Sequence, residues 1–329
     1  MTTDEKLAAI LKCVQTDPGN RGLARDPHDN LFTATQGDFE AACRTLSEGD
    51  GCVAVFTGFF IPTGQPPASE TDGPLGARQL CEALSRLGRR SVVITDVQTE
   101  RGVIAGLHQV GLAGGRYILS KRNADDGSPL VVTVTVPPHT HPWHVFAKLD
   151  WYSCVQVYGI EHVVAVERVG PSHLDGRSYT MRCRDITGET APMHHLIHEC
   201  QQRLPRIHTV GIGDGGNEIG MGKIPWATIA RNIPDGERIA CRVPTDHLIV
   251  AGVSNWGAYA LAAGIFVLKG ITPPPDLFDP DREREILEVM VREGPLVDGV
   301  TGRQEATVDG LSWEEYSRPL IAIREILAS

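Results

Sequence analysis

Six short apolar runs recur along the chain, and they constrain its fold more than any other feature. They are GCVAVFTG at 51–58, RSVVITD at 90–96, LVVTVTV at 130–136, HVVAVER at 162–168, RIHTVGIGD at 206–214 and DHLIVAGVSN at 246–255. Each run is nearly continuous in apolar residues instead of alternating with polar ones. This pattern is typical of strands that are buried on both faces of a parallel sheet.

Helical patterns separate several of these runs. The segment 73–88 has Pro74 near its start and Gly88 at its end, 257–270 is apolar all round, and 279–294 is amphipathic. Ser312 and Glu315 form a capping box before a last helix. The alternation predicts an α/β layered fold with a mainly parallel sheet flanked by helices. We expect a single α/β domain over 1–329, either undivided or built from two lobes.

Polar residues stand at the predicted strand ends. In open α/β sheets the ligand crevice lies outside the carboxyl ends of the strands, so these side chains are expected to converge on one site. The residues concerned are Thr57, Asp96, Glu167 with Arg168, Asp214, and Ser254 with Asn255.

One of these ends is GIGDGGNEIGMGK at 211–223, which holds six glycines. Glycine lets main-chain N–H groups approach a ligand closely, so the segment predicts an anion nest at Gly215 and Gly216. Asp214 and Glu218 fit beside an anion if one is protonated, or if a divalent cation or an ammonium group is bound. Lys223 could add positive charge. The alternative is a tight strand-to-helix turn in which Asp214 and Asn217 cap backbone groups.

Further polar groups lie in two other segments. Arg168, Arg182 and Arg184 could clamp a substrate carboxylate while Tyr179 donates a hydrogen bond, although surface ion pairs are the competing interpretation. Glu70, Thr71 and Asp72 come directly before the helix at 73–88. Asp72 is therefore either a helix N-cap or a ligand-binding residue.

Nucleotide cofactors are disfavoured. Asp214 lies inside the glycine loop, where it would repel a pyrophosphate, and Ile224 follows Lys223 where a phosphate loop needs Ser or Thr. The candidate cofactor is instead Mg²⁺ or Mn²⁺, with Asp214 and Glu218 as its expected ligands.

Cysteines and histidines are weaker candidates for chemistry. Eight cysteines are dispersed without a C-x-x-C pair, as expected for reduced thiols. The histidines cluster in two places but lack the pattern H-E-x-x-H, so surface or interface positions are favoured over a zinc site. They are His139, His141 and His144, and then His194 and His198.

Charge and hydropathy limit the partners. The net charge of -10 opposes a general affinity for nucleic acid or anionic lipid. The longest apolar stretches fall short of the roughly 20 residues that span a bilayer. The first residues, MTTDEKLAAILKCV, lack the basic flank and apolar centre of a secretory signal. We expect a cytoplasmic protein that binds a small molecule, with a homo-oligomer left open.

Four segments together resemble the D-glutamate cyclase family. They are GIGDGGNEIGMGK, DHLIVAGVSNWGAYAL, the Glu-Arg pair with D-G-x-x-Y-x-M-R at 167–182, and SETDGPLGA. The resemblance covers about residues 50–310. It implies a hydro-lyase that reversibly converts D-glutamate, an amino-dicarboxylate, into 5-oxo-D-proline and water.

Such a ring closure needs a base for the ammonium, a proton or cation on the γ-carboxyl, and donors for the oxyanion. The expected catalytic residues are Asp214, Glu218, Asn217 and Lys223. Those expected to contact substrate are Gly215, Gly216, Glu167, Arg168, Tyr179, Arg182, Ser254, Asn255, Thr71 and Asp72. The alternatives are a phosphotransferase with a glycine-rich phosphate loop and a non-catalytic amino-acid sensor.

Overall fold

The computed structural model describes residues 1–112 and 151–329 in full, and the backbone alone of 115–116, 131–136 and 144–150. His139 and His141 lie outside the described residues, as does the side chain of His144.

The helices are α1 Thr3–Val14, α2 Asp38–Glu48, α3 Pro74–Arg86, α4 Glu100–Gln109, α5 His144–Tyr158, α6 His194–Arg203, α7 Trp226–Asn232, α8 Gly236–Ile239, α9 Ser254–Lys269, α10 Pro280–Glu293 and α11 Trp313–Ala328. The strands are β1 Cys52–Thr57, β2 Phe60–Ile61, β3 Ala68–Ser69, β4 Ser91–Asp96, β5 Gly115–Arg116, β6 Val131–Val136, β7 Ile160–Val166, β8 His208–Gly213 and β9 His247–Val250.

Seven strands form one sheet in the order β5-β6-β4-β1-β7-β8-β9, and every described pair in it is parallel. Strands β2 and β3 form a separate antiparallel pair. All six predicted strands are present in the sheet. The α/β layered fold with a parallel sheet and flanking helices is therefore confirmed.

The sheet is covered on both faces because successive side chains of a strand point in opposite directions. On β1, Val53 and Val55 pack in one apolar cluster with α1, α2, α3, α4, α9, α10 and α11. Ala54 and Phe56 pack in a second cluster, on the other face, with α5, α6, α7 and α8. Burial on both faces is the physical reason for the continuous apolar runs. The cysteines are free thiols, and most of them are buried.

The strand order reverses direction at β1, which has β4 on one side and β7 on the other. At such a switch point the loops after the two strands run to opposite sides and leave a crevice at the carboxyl edge. Within the described part of the chain, no helix has both the length and the apolar character needed to cross a membrane.

Three predicted boundaries differ from the structure. Ser254 and Asn255, expected at a strand end, form the first turn of α9, because β9 stops at Val250. The segment 211–223 does not turn directly into a helix, since α7 begins only at Trp226. Helix α3 is buried along nearly its whole length instead of along one stripe, because α4 and α9 both pack on it.

Candidate active site

A cavity of about 310 Å³ lies at the carboxyl edge of the sheet, beside the switch point. Its size suits a small metabolite. One part of the wall is apolar and the rest is dominated by charged side chains. The lining residues are Arg21, Phe59, Ile61, Pro62, Thr63, Glu70, Asp72, Glu167, Thr180, Met181, Arg182, Arg184, Asp214, Gly299, Val300 and Asp309.

Three of these carboxylates form a tight cluster. Asp72, Glu167 and Asp214 each offer an oxygen that lies within 4.8 Å of the other two, and all three side chains are buried. They come from the loop before α3 and from the ends of β7 and β8, so the parallel sheet is what brings them together.

Each member of the cluster is held by hydrogen bonds or by an ion pair. Asp72 accepts hydrogen bonds from the backbone N–H groups of Ser254 and Asn255, at 2.9 and 2.8 Å, and so caps α9. Glu167 accepts one from the Ser254 hydroxyl at 2.5 Å, and its backbone adopts a left-handed φ of 44°. A non-glycine residue in this region is strained, and such strain is common at functional sites. Asp214 forms an ion pair with Arg21 at 2.6 Å.

The electrostatic state of the cluster follows from burial. Burial, with the charge of Asp309 as the next cause, raises the pKa of Asp72 to about 7. Burial also raises the pKa of Glu167 well above its usual range, with Asp214 as the next cause. The pKa of Asp214 is raised by burial as well, although Arg21 opposes the shift. Arg21 is thus too little positive charge for the cluster, and a bound cation would supply more.

Two further carboxylates, from Glu70 and Asp309, line the same cavity. Burial raises the pKa of Glu70 well above its usual range, and the charge of Asp309 adds to the shift. Asp309 pairs through Oδ1 with Arg21 at 2.8 Å. Its buried Oδ2 has no hydrogen-bond partner in the described part of the chain.

Arg21, which the sequence analysis missed, bridges Asp214 and Asp309. The carboxylate of Asp17 holds the turn that carries it by accepting hydrogen bonds from the N–H groups of residues 21, 22 and 23. Nothing in the local sequence distinguishes this arginine from a surface residue, because its partners lie nearly two hundred or more positions away. The D-G turn at Asp309 is the one local signal that marks the other missed residue.

The glycine segment does form an anion nest, but its anion is the chain's own Glu218. The Glu218 carboxylate accepts hydrogen bonds from the N–H groups of Asp214, Gly215 and Gly216, at 2.9, 2.6 and 2.8 Å. Gly216 has a φ of 97°, which a side chain would strain. The expectation that the Gly215 and Gly216 amides face a substrate oxyanion is therefore corrected, and among the described residues Glu218 is not part of the group of carboxylates placed to hold a metal ion.

Several predicted residues lie near the site without facing it. The Arg168 guanidinium is fully buried and donates to Asp96, to Gly58 O and to Ala191 O, so it cannot clamp a substrate carboxylate. Asn217 donates to the carbonyl of Tyr179, and the Tyr179 hydroxyl donates to Asp175. Neither side chain lines the cavity.

Lys223 lies outside the site. Its Nζ pairs with Asp38 at 2.7 Å and donates to the backbone carbonyl of Asp246, and its side chain is 32% exposed. The prediction that it adds positive charge to the cavity is corrected, because the chain leaves the carboxyl edge between Asp214 and Lys223.

The remaining predicted residues support or line the cavity. Ser254 and Asn255 bind Asp72 through their backbone, while Thr71 donates to the carbonyl of Thr307. Arg182 lines the cavity and donates to the Val300 carbonyl at 3.1 Å. Arg184 also lines it.

A larger groove of about 730 Å³ lies at the opposite, amino edge of the sheet, between Glu48, His162 and Arg206. It contains no group of three side chains placed to bind a metal, as far as the described residues extend. The cavity at the carboxyl edge is therefore the better candidate for chemistry.

Comparison with known proteins shows the family. The profile of the family described as "D-glutamate cyclase-like, C-terminal" matches residues 10–324. The chain belongs to this family. One D-glutamate cyclase-like relative, the human protein named "D-glutamate cyclase, mitochondrial", is 29% identical over 345 aligned positions. The match covers 98% of this chain and 52% of that protein, so the chain spans about half the length of this curated relative.

Proposed function

We propose that the protein catalyses the reversible cyclisation of D-glutamate to 5-oxo-D-proline and water. The observation that carries the proposal is the polarity of the cavity. Three buried carboxylates converge at one end, while Arg182 and Arg184 stand in its wall. A molecule with one cationic group and two carboxylates complements such a cavity.

The reaction is a condensation within one molecule, in which two protons move from nitrogen to oxygen. The α-nitrogen forms a bond to the γ-carboxyl carbon, and one γ-oxygen leaves as water. The ammonium loses two protons, and the departing oxygen gains two, so no other reactant is needed. The site must therefore carry protons from nitrogen to oxygen and make the γ-carboxyl a better electrophile.

The residues Asp72, Glu167 and Asp214 fit a Mg²⁺ or Mn²⁺ ion. These are hard cations that prefer carboxylate oxygens, and the three oxygens lie close enough together to share one ion. When bound, the ion would polarise the γ-carboxyl carbonyl and stabilise charge on its oxygen. This ligand set replaces the pair expected from the sequence, because Glu218 does not belong to the group of three carboxylates that lie close together in the described residues.

Asp214 is the residue to which we assign proton transfer. Its Oδ2 is held by Arg21, so the side chain is fixed beside Asp72 and Glu167. Arg182 holds the α-carboxylate, and the apolar wall of Phe59 and Ile61 limits access of water. Holding the flexible substrate in its folded conformer can contribute roughly 7 to 11 kcal/mol, the range found for well-oriented intramolecular reactions.

The phosphotransferase alternative is less well supported. A phosphate loop needs free backbone N–H groups, and those of the glycine segment are bound to Glu218. A non-catalytic sensor would use the same cavity, and it is distinguished from an enzyme by turnover alone.

The test is an assay of purified protein with D-glutamate, L-glutamate or 5-oxo-D-proline, with Mg²⁺, Mn²⁺ or EDTA, followed by chiral chromatography. We expect interconversion of the D-isomers that EDTA abolishes. Asp214→Asn is the inactive control. Absence of turnover with every metal would remove the cyclase proposal, whereas turnover that resists EDTA would remove the metal alone. Calorimetric binding of D-glutamate without turnover would support the sensor.

A further inference from the structure

The geometry points to an ammonium-binding subsite formed by Glu70 and Asp309, next to the cluster of Asp72, Glu167 and Asp214. It deepens the proposed function, on which it rests, by naming the group that recognises the substrate amine. The subsite separates amine recognition from the oxygens that the proposed metal would use.

Asp309 supplies the first observation. Its side chain is 8% exposed and lines the cavity, and its Oδ2 is buried without a hydrogen-bond partner among the described residues. A buried carboxylate oxygen without a donor is costly, so its position indicates a missing donor. Its other oxygen is fixed by Arg21.

The loop that carries Asp309 is built to hold this side chain. The backbone of Asp309 has a left-handed φ of 56°. Asp298 fixes the loop by accepting hydrogen bonds from the N–H groups of Val300, Thr301 and Gly310, at 2.9, 2.8 and 2.8 Å. Strain that is stabilised by such a network is characteristic of functional sites.

Glu70 supplies the second acceptor. It is 7% exposed and lines the cavity, and no side-chain hydrogen bond is made to its carboxylate within the described residues. Its Oε2 packs directly on Gly299, where a Cβ would come within 1.9 Å of it. The absence of a side chain at residue 299 therefore leaves the room that the Glu70 carboxylate occupies.

The chemistry favours an ammonium group over a second metal ion. The groups of three ligands found in the described residues include neither Glu70 nor Asp309. A primary ammonium has three donors and one charge, which two carboxylates of this kind can satisfy.

The subsite is tested by calorimetry with matched ligands that differ in one group. D-glutamate carries the ammonium, D-2-hydroxyglutarate replaces it with a neutral hydroxyl, and glutarate lacks it. The titrations use Asp214→Asn protein to prevent turnover. Added to this background, Glu70→Gln and Asp309→Asn should each weaken D-glutamate binding roughly 10-fold or more, the range for a hydrogen bond to a charged group. Binding of the other two ligands should change less than about threefold.

Two further variants keep the result interpretable. Gly299→Ala displaces the Glu70 carboxylate without removing a charge, and it should weaken D-glutamate selectively as well. Glu305→Gln changes an exposed acid on the same loop, ion-paired with Arg303, and should bind all three ligands as the background does. Equal weakening of all ligands by Glu70→Gln and Asp309→Asn, or no weakening of D-glutamate, would overturn the subsite.

Thermal unfolding in the presence of a simple amine tests the subsite independently of the cyclase proposal. The thermal unfolding of the otherwise unaltered protein is followed with n-propylammonium chloride against sodium chloride at equal ionic strength. Stabilisation by the amine that both Glu70→Gln and Asp309→Asn abolish supports the subsite, even if no glutamate is bound or converted. In that case the proposed function fails and the subsite stands. Equal stabilisation of all three proteins, or of none, counts against the subsite.

Discussion

Asp72 and Asn255 cap each other's helices. The Asp72 carboxylate accepts the N–H groups of Ser254 and Asn255 at the start of α9, and the Asn255 Oδ1 accepts those of Gly73 and Gly76 at the start of α3, at 2.9 and 2.7 Å. Residues 183 positions apart are thereby locked together below the cavity. The exchange fixes one member of the carboxylate cluster with respect to the two helices behind it.

Asn255→Ala should lower the free energy of unfolding by about 2 to 3 kcal/mol, since the buried N–H of Gly76 loses its acceptor and that of Gly73 keeps only Asp72. Urea denaturation followed by circular dichroism measures the change. Ser312→Ala removes the exposed cap of α11 and is the comparison, with an expected loss of about 1 kcal/mol. A loss at Asn255 no larger than that at Ser312 would show that the mutual capping is energetically unimportant.

Substitutions at Glu218 and Asp214 should have different effects, the first on stability and the second on catalysis. Glu218→Gln places an amide NH₂ among three N–H donors and should cost about 2 kcal/mol of unfolding free energy. Asp214→Asn should lower kcat by roughly 100-fold or more, because proton transfer is lost. Its stability should stay within about 1 kcal/mol of the unaltered protein, because Arg21 keeps its ion pair with Asp309 and burial already disfavours the charged form of Asp214. A stable Glu218→Gln protein with the lower kcat would return the proton-transfer role to Glu218.

Lys223→Ala should leave kcat and KM within about twofold of their original values, because Nζ binds Asp38 outside the cavity. Such a surface ion pair contributes up to about 1 kcal/mol to stability. Arg182→Ala is the matched removal of a cation inside the cavity. It should raise KM by roughly 10-fold if the guanidinium holds the α-carboxylate. Steady-state kinetics with D-glutamate measures both. A large loss of kcat in Lys223→Ala would contradict its assignment to the surface.

The metal-free protein should lose stability as the pH rises from about 5 to 8. The pKa of Asp72 is raised to about 7, and the pKa values of Glu70, Glu167 and Asp214 are also raised. The folded state therefore binds more protons than the unfolded state over this range, and its advantage is lost as the pH passes the folded pKa values.

Thermal unfolding in EDTA at pH 5.5 and pH 8 tests this expectation, with a lower Tm expected at pH 8. Adding Mn²⁺ should raise the Tm more at pH 8 than at pH 5.5, because protons compete with the metal for the same oxygens. A Tm that rises with pH in EDTA would contradict the inferred charge state. An equal effect of Mn²⁺ at both values would contradict binding at the cluster.

Arg21→Met should destabilise the protein by about 3 kcal/mol, because Asp214 and Asp309 lose their shared counterion in a buried site. The loss should be greater at pH 8 than at pH 5.5, where buried carboxyls can take up protons instead. Denaturation curves at both pH values measure it. Arg303→Met, which removes an exposed ion pair with Glu305, is the control and should change stability little at either value. A loss independent of pH would indicate that Arg21 acts by packing alone.

The sequence by itself determined the layered architecture. Burial on both faces of a parallel sheet requires continuous apolar strands, and helices between them are the connections that such a sheet needs, so the strands and flanking helices are readable from local composition. It also placed Glu167 and Asp214 at the strand ends, and Asp72 before its helix, because these positions follow from the chain path. The capping box at Ser312 is equally local, since both partners lie within four residues.

The tertiary structure alone decided what each polar group binds. Composition does not show whether the amides of the glycine segment bind a ligand or Glu218. It also does not show whether Arg168 is buried or free. Both depend on hydrogen bonds that form only in the folded chain. Arg21 reaches Asp214 and Asp309 across 193 and 288 positions. Such pairings arise only when packing fixes the distances between segments, because a charge has no sequence preference for a distant partner. For this reason the side-chain pairings of the site depend on the folded chain, whereas local sequence patterns predict the strands and helices that carry it.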